Sequence, residues 1–144
     1  MYPFILFPDF DGVMHPGTSG TMRHVPKFEA FLARYPDVLL VPSSNWRETE
    51  SLDDLRNWFS PAFASRIIDV TPVLHLPGRG SRQTEIETWL GQHPARHWRA
   101  IDDDASLFRP DCRWLITTDP RTGLDDETFR RLAQVFDAAG LRTV

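Results

Sequence analysis

The sequence predicts an α/β layer fold around a mostly parallel sheet, and three observations carry that prediction. Short apolar runs alternate with segments of helical period. The length of 144 residues suits one domain, residues 1–144. With 41% hydrophobic and 25% charged residues, the composition is globular, which excludes disorder and fibre.

Residues 4–7 (Phe-Ile-Leu-Phe) are the first of five strand candidates. Phe28, Phe31 and Leu32 then recur at i, i+3, i+4, and Pro36 keeps that helix out of the second strand candidate, 38–41. Leu52, Leu55 and Phe59 mark a second helix. The third strand candidate, 66–70, carries the weakest apolar pattern. Ile86, Trp89 and Leu90 mark a helix that stops by His93, because Pro94 follows. Residues 98–101 and 114–117 complete the strands. The last helix is the clearest, with Asp125 as N-cap, Leu124 able to staple onto Phe129, an apolar row of Phe129, Leu132, Ala133 and Phe136, and Gly140 at its end.

Sixteen basic against twenty acidic residues leave a net charge of −4, so any polyanion must be met by a local patch. Lys27 is the only lysine. The single cysteine, Cys112, cannot form an internal bridge and reads as a buried, inert thiol in a reducing, cytoplasmic setting. No segment approaches a membrane span or a signal-peptide core. Two long loops, 12–26 and 71–81, both follow strand candidates. In open α/β sheets ligands bind beyond the carboxyl ends of strands, so the chemistry is expected there.

The first strand candidate runs into Pro8-Asp9-Phe10-Asp11-Gly12. Extended geometry turns Asp9 and Asp11 to one side, and Gly12 lets the chain bend away. Two carboxylates about 4 Å apart at an effective dielectric near 20 repel by about 4 kcal/mol, so a cation or a shared proton is expected between them. After residues 98–101 come Asp102, Asp103 and Asp104. Parallel strands bring both acid groups to one sheet edge, and an oxygen-only, incomplete cage suits Mg2+. Asp-x-Asp-Gly by itself is also a turn motif, and one acid of the triplet has an alternative role capping the helix at Ala105. The 38–41 strand ends in Pro42-Ser43-Ser44-Asn45-Trp46-Arg47, where a hydroxyl can donate to a phosphate oxygen or cap the next helix. Pro8 and Pro42, which cannot donate to a ladder, are read as strand terminators.

The order of these motifs resembles the haloacid dehalogenase-like (HAD) phosphohydrolase superfamily. More narrowly, the strings DFDGVMHP, SSNWRE, DVTP, SRQTEIETWL, WRAIDDD and TDPRTGL resemble the small HAD domains of bacterial Swiss Army Knife RNA-repair proteins, over nearly the whole chain. The resemblance implies a three-layer Rossmann-like fold with helices on both faces of a five-stranded sheet. It also implies Mg2+-dependent hydrolysis of phosphate esters through an aspartyl-phosphate. Carried over, Asp9 is the nucleophile and Asp11 the acid that protonates the leaving oxygen and then activates water. Mg2+ is held by Asp9, the carbonyl of Asp11 and an acid of the fourth strand, Asp103 or else Asp102. The hydroxyl role falls on Ser44, two residues before Trp46, with Ser43 a close rival. For the cationic role Lys27 precedes the serine motif and is out of order, leaving Arg79 or Arg82. Arg82 matches the R-x-x-E-I string.

Arg47 reads as an exposed helix residue, and His15 and His24 as polar surface residues of the first loop. His93 and His97 at i, i+4 are a poor zinc pair without a third ligand. The segments joining Asp11 to Ser44, and Ser44 to Arg82, leave no room for a large cap domain, and an open site suits bulky phosphoesters. The family context points to phosphorylated RNA or nucleotide ends as substrate and to RNA-repair proteins as partners. The alternative is a catalytically silent HAD-like binding or scaffold domain.

Overall fold

The structure is a computed structural model that describes residues 1–144. Four strands, β1 (Tyr2–Pro8), β2 (Val38–Leu40), β3 (Ala95–Asp102) and β4 (Leu115–Thr117), form one parallel sheet in the order β2-β1-β3-β4. Five α-helices accompany them: α1 (Val25–Leu32), α2 (Leu52–Arg56), α3 (Pro61–Ala64), α4 (Ser81–Gln92) and α5 (Asp126–Ala138). No helix is long and apolar enough to cross a membrane.

Successive β1 side chains go to opposite faces, and each face has its own apolar cluster. Phe4 and Leu6 pack with Phe28 and Leu32 of α1, Leu55 of α2, Phe63 of α3 and Phe136 of α5. Ile5 and Phe7 pack with Ile86 and Trp89 of α4 and with Phe108. Phe4 meets Phe136 edge-to-face at 5.0 Å, and Phe7 meets Trp89 likewise at 5.7 Å. Burying one such side chain contributes about 1.5–3 kcal/mol, so β1, apolar on both faces from Phe4 to Phe7, anchors the sheet.

The last helix follows its sequence signals. Asp125 accepts from the Thr128 N–H, while Gly140 (φ +72°) and Leu141 close its far end by donating to the carbonyls of Asp137 and Phe136. β1 ends at Pro8 and β2 ends two residues before Pro42.

Three expectations need correction. Residues 66–70 are not a fifth strand: one bridge joins Ile67 to Leu40, because β2 is only three residues long and offers a single pairing. The Arg66 guanidinium holds that segment instead, donating to the carbonyls of Leu32, Tyr35 and Val38. The second helix stops at Arg56, short of Phe59, since Pro61 restricts Ser60 to extended backbone and starts α3. Cys112 is half-buried, not enclosed.

From β1 the chain steps to β2 on one side, then returns past β1 to β3 on the other. The direction of winding therefore reverses between β1 and β3, and in open α/β sheets ligands bind beyond the carboxyl ends of strands at such a reversal. Pro8 pairs with Ile101, and the next N–H, that of Asp9, donates to the Ile101 carbonyl at 2.9 Å. This register sets Asp9 beside Asp102.

Candidate active site

The oxygens of Asp9, Asp102 and Asp103 lie within 4.8 Å of one another. Asp9 is 6% exposed and Asp102 fully buried, so this repulsion is not diluted by water. Arg82, from the first turn of α4, answers it. Its Nη1 lies 2.7 Å from Asp102 Oδ2 and 3.4 Å from Asp9 Oδ2, and its Nη2 donates to Asn45 Oδ1 at 2.9 Å. Arg79 is exposed in the 71–81 loop, away from this role.

Burial, then the charge of Asp102, pushes the Asp9 carboxyl up to about 8, against the pull of Arg82 and a 2.8 Å hydrogen bond from the Phe10 N–H. Asp103 is also raised, by burial and then by Asp102. Burial opposes the Arg82 charge, yet Asp102 and Asp9 hold its pKa above the ordinary arginine value. Three clustered carboxylates and one guanidinium paired with two of them leave two negative charges uncompensated when all are ionised. Such a donor set, all oxygen and short of two positive charges, fits a hard divalent cation.

The acids differ in how free they are. Asp102 is committed on both oxygens, Oδ2 to Arg82 and Oδ1 to the Asp104 N–H at 3.0 Å. Asp104 caps the turn at Ala105–Leu107 through the Ser106 N–H. Asp103 rests against Gly12, where an added Cβ would come within 2.8 Å of the Asp103 Cβ and nearer still to its carboxylate. Gly12 has φ +71°, and its carbonyl accepts from the buried Thr118 hydroxyl at 2.6 Å.

Asp11, expected to face Asp9, stands outside the three-acid cluster because its carboxylate is drawn to His15 and Trp46. Its Oδ1 accepts from His15 Nε2 at 2.7 Å and from the Trp46 indole N–H at 3.3 Å. The Met22 N–H donates to His15 Nδ1, which places the imidazole hydrogen on Nε2 in the neutral ring. Ser44 Oγ accepts from the Trp46 N–H at 3.2 Å, a capping contact that leaves its own hydrogen uncommitted. Ser43 Oγ is buried with no partner at all.

Two polar residues lie elsewhere than expected. His15 is fully buried, enclosed by Asp11, Met22 and the ring of Trp46 at 5.5 Å. Arg47 is buried as well, donating to the carbonyls of Ser43, Ser44, Thr71 and Pro72 and to Glu85 at 2.8 Å, and so it fastens the 71–81 loop to the serine turn. His24, half-buried, meets the Thr122 carbonyl. His93 stacks on Trp89 and His97 on Phe4, so the two do not converge. His15, Asn45, Trp46 and Thr118 were not assigned to the site from sequence. The i, i+4 spacing of Asp11 and His15 was the one local signal available.

The family model described as the HAD domain in Swiss Army Knife RNA repair proteins matches residues 5–129. Comparison with curated proteins and with solved structures finds no match.

Proposed function

The chain belongs to the family of HAD domains in Swiss Army Knife RNA repair proteins, and from that premise we propose that it is a Mg2+-dependent phosphohydrolase acting through an aspartyl-phosphate. The observation that carries this reading is the convergence of Asp9, Asp102 and Asp103, the first two paired with Arg82, at the switch point of the sheet. The two apolar clusters on opposite sheet faces accord with the Rossmann-like layering the family implies.

Asp9 attacks phosphorus, with Oδ1 oriented by the Phe10 N–H. Asp11 gives a proton to the leaving oxygen and then takes one from water. His15 and Trp46 both donate to its Oδ1, which reserves Oδ2 for the transferable proton. Ser44 donates to a phosphoryl oxygen through its uncommitted hydrogen, with Ser43 the neighbouring unpaired hydroxyl. Arg82 offsets the charge of the acid pair and holds Asp9 beside Asp102. Asp9, Asp103 and the Asp11 carbonyl would hold Mg2+, with Asp102 behind them. Bound there, the ion screens the repulsion between an anionic nucleophile and an anionic phosphate.

Between Asp11 and Ser44 the chain forms only a loop, α1 and β2, and between Ser44 and Arg82 two short helices and the 71–81 loop. An uncapped entrance suits phosphorylated RNA or nucleotide ends, handled with RNA-repair partners in the cytoplasm. The test is phosphate release from an aryl phosphate. It is expected to require Mg2+ and to vanish in Asp9→Asn. Silence of the wild type across terminally phosphorylated RNA, nucleotides and phosphopeptides would turn the reading to a scaffold domain.

A further inference from the structure

Away from the carboxylates, the outer edge of the sheet carries a positive track. β4 covers only the last three residues of β3, Ala100–Asp102, so the edge of β3 from Ala95 to Arg99 is open on that side. Two grooves follow this edge, of about 470 and 340 Å³, and they share Arg99 and Arg113. Arg96 lines the first and Arg131 the second, and no Asp or Glu lines either one. None of these four arginines is in an ion pair. In a chain with net charge −4, that is a segregation of charge.

The track is held in shape. The Trp98 and Trp114 rings stack at 5.4 Å and 7°, and the Arg113 guanidinium lies over Trp114 at 4.6 Å. Arg99 is fixed by the Trp98 carbonyl at 2.7 Å. Burial and then the charge of Arg113 lower its pKa, so these two cations lie close enough to repel. At the far end Arg131 donates to the carbonyl of Thr117, the residue paired with Asp102. The groove that Arg131 lines therefore ends beside Thr117, one strand away from Asp102.

We propose that this edge binds the phosphodiester backbone of a single-stranded nucleic acid and lays its phosphorylated end toward Asp9. An acidic protein would also be drawn to the charge. The end of the track beside Thr117, one strand away from Asp102, favours a strand whose own end is the substrate. This deepens the hydrolase reading and rests on it for the direction of the strand, whereas binding itself can be measured without turnover. Arginine planes suit a phosphodiester backbone without sequence preference.

The test uses the full chain and a fluorescein-labelled single-stranded 12-mer, as RNA and as DNA, read by anisotropy. Arg96→Gln/Arg113→Gln removes two exposed cations of the track, and Lys27→Gln/Arg34→Gln removes two from α1 and the turn after it. With four phosphate contacts, affinity for a single strand should fall about 50-fold between 50 and 200 mM salt, and only about 7-fold once two contacts are gone. The expected result is that weaker slope, with at least about tenfold weaker binding at 50 mM salt, in the track variant alone. Aryl phosphate turnover should stay unchanged in both variants. Binding of RNA above DNA, or of both alike, supports the proposal and distinguishes the two sources of backbone. No binding by the wild type, equal losses in the two variants, or a dimer in sedimentation that only the track variant dissolves would overturn it. An inactive wild type that still binds strands with this slope would sink the hydrolase reading and spare the surface.

Discussion

Arg82 and Asp102 form a buried ion pair of 2.7 Å, and the same guanidinium nitrogen reaches Asp9 at 3.4 Å. Removing the cation leaves Asp102 buried without a counter-charge, and Asp9 beside it without the cation that holds the pair together. Arg82→Ala should therefore cost about 3–5 kcal/mol of unfolding free energy in urea titrations of the metal-free protein. Arg82→Lys keeps the charge and loses the fork to Asn45, so it should recover only part. An alanine variant as stable as the wild type would show that the acids do not depend on Arg82.

Asp9 makes stability depend on pH in a direction opposite to an ordinary ion-paired carboxylate. Its carboxyl sits at about 8 in the folded chain against 3.8 in the unfolded, by burial and by Asp102. Between those values the folded chain holds a proton that the unfolded chain has released, so stability falls as pH rises. The contribution is fully present below about 4 and gone above about 8. Melting curves of the metal-free wild type and Asp9→Asn from pH 4.5 to 8.5 should diverge, with the variant gaining on the wild type toward alkaline pH. Parallel curves would refute it.

In the proposed mechanism His15 acts through Asp11, to which its Nε2–H donates at 2.7 Å. His15→Phe fills the buried space and removes the donor. The expected outcome is a drop in kcat of order 10²-fold, with KM little changed. His15→Gln, which can still donate, should restore part of the rate. A variant defective in KM alone would place His15 in binding instead.

Gly12 cannot carry a side chain without moving Asp103. Its φ of +71° is strained for any residue with a Cβ, and that Cβ would overlap the Asp103 side chain. Gly12→Ala should lose about 1–3 kcal/mol and weaken Mg2+ binding measured by calorimetry. If affinity is unchanged in Gly12→Ala and lost in Asp102→Asn, then Asp102 and not Asp103 is the ligand.

The two serines should separate by stability and by kinetics. Ser44 caps the turn at Asn45–Glu48, so Ser44→Ala should cost about 1 kcal/mol and raise KM. Ser43 carries an unpaired buried hydroxyl, so Ser43→Ala should be close to neutral in stability. A KM effect confined to Ser43→Ala would move the phosphate contact to that residue.

Asp9, Asp102 and Asp103 were legible as a group because their placement is local, whereas Asp11, expected beside Asp9, turns to His15 and Trp46. Asp9 and Asp102 each follow an apolar run, and parallel pairing needs no further information to bring such ends together. Motif order narrowed the cation to Arg79 or Arg82, the family string R-x-x-E-I pointed to Arg82, and the Asp125 cap was legible from its own turn. The fifth strand was misread because a weak apolar run pairs only if its neighbour is long enough, and β2 is three residues long. The burial of Arg47 could not be seen, since its partners Thr71, Pro72 and Glu85 lie 24 to 38 residues away.

By itself, the amino-acid order determined which segments are apolar enough to form strands and helices, and which carboxylates stand at their ends. Only the tertiary structure decided which polar side chains go inside and which arginines stay without a carboxylate at the outer edge of β3. The physical reason is that burying a polar group is tolerable only where distant groups complete its hydrogen bonds. Periodicity along a chain records the face a residue takes, not the partners that wait for it there.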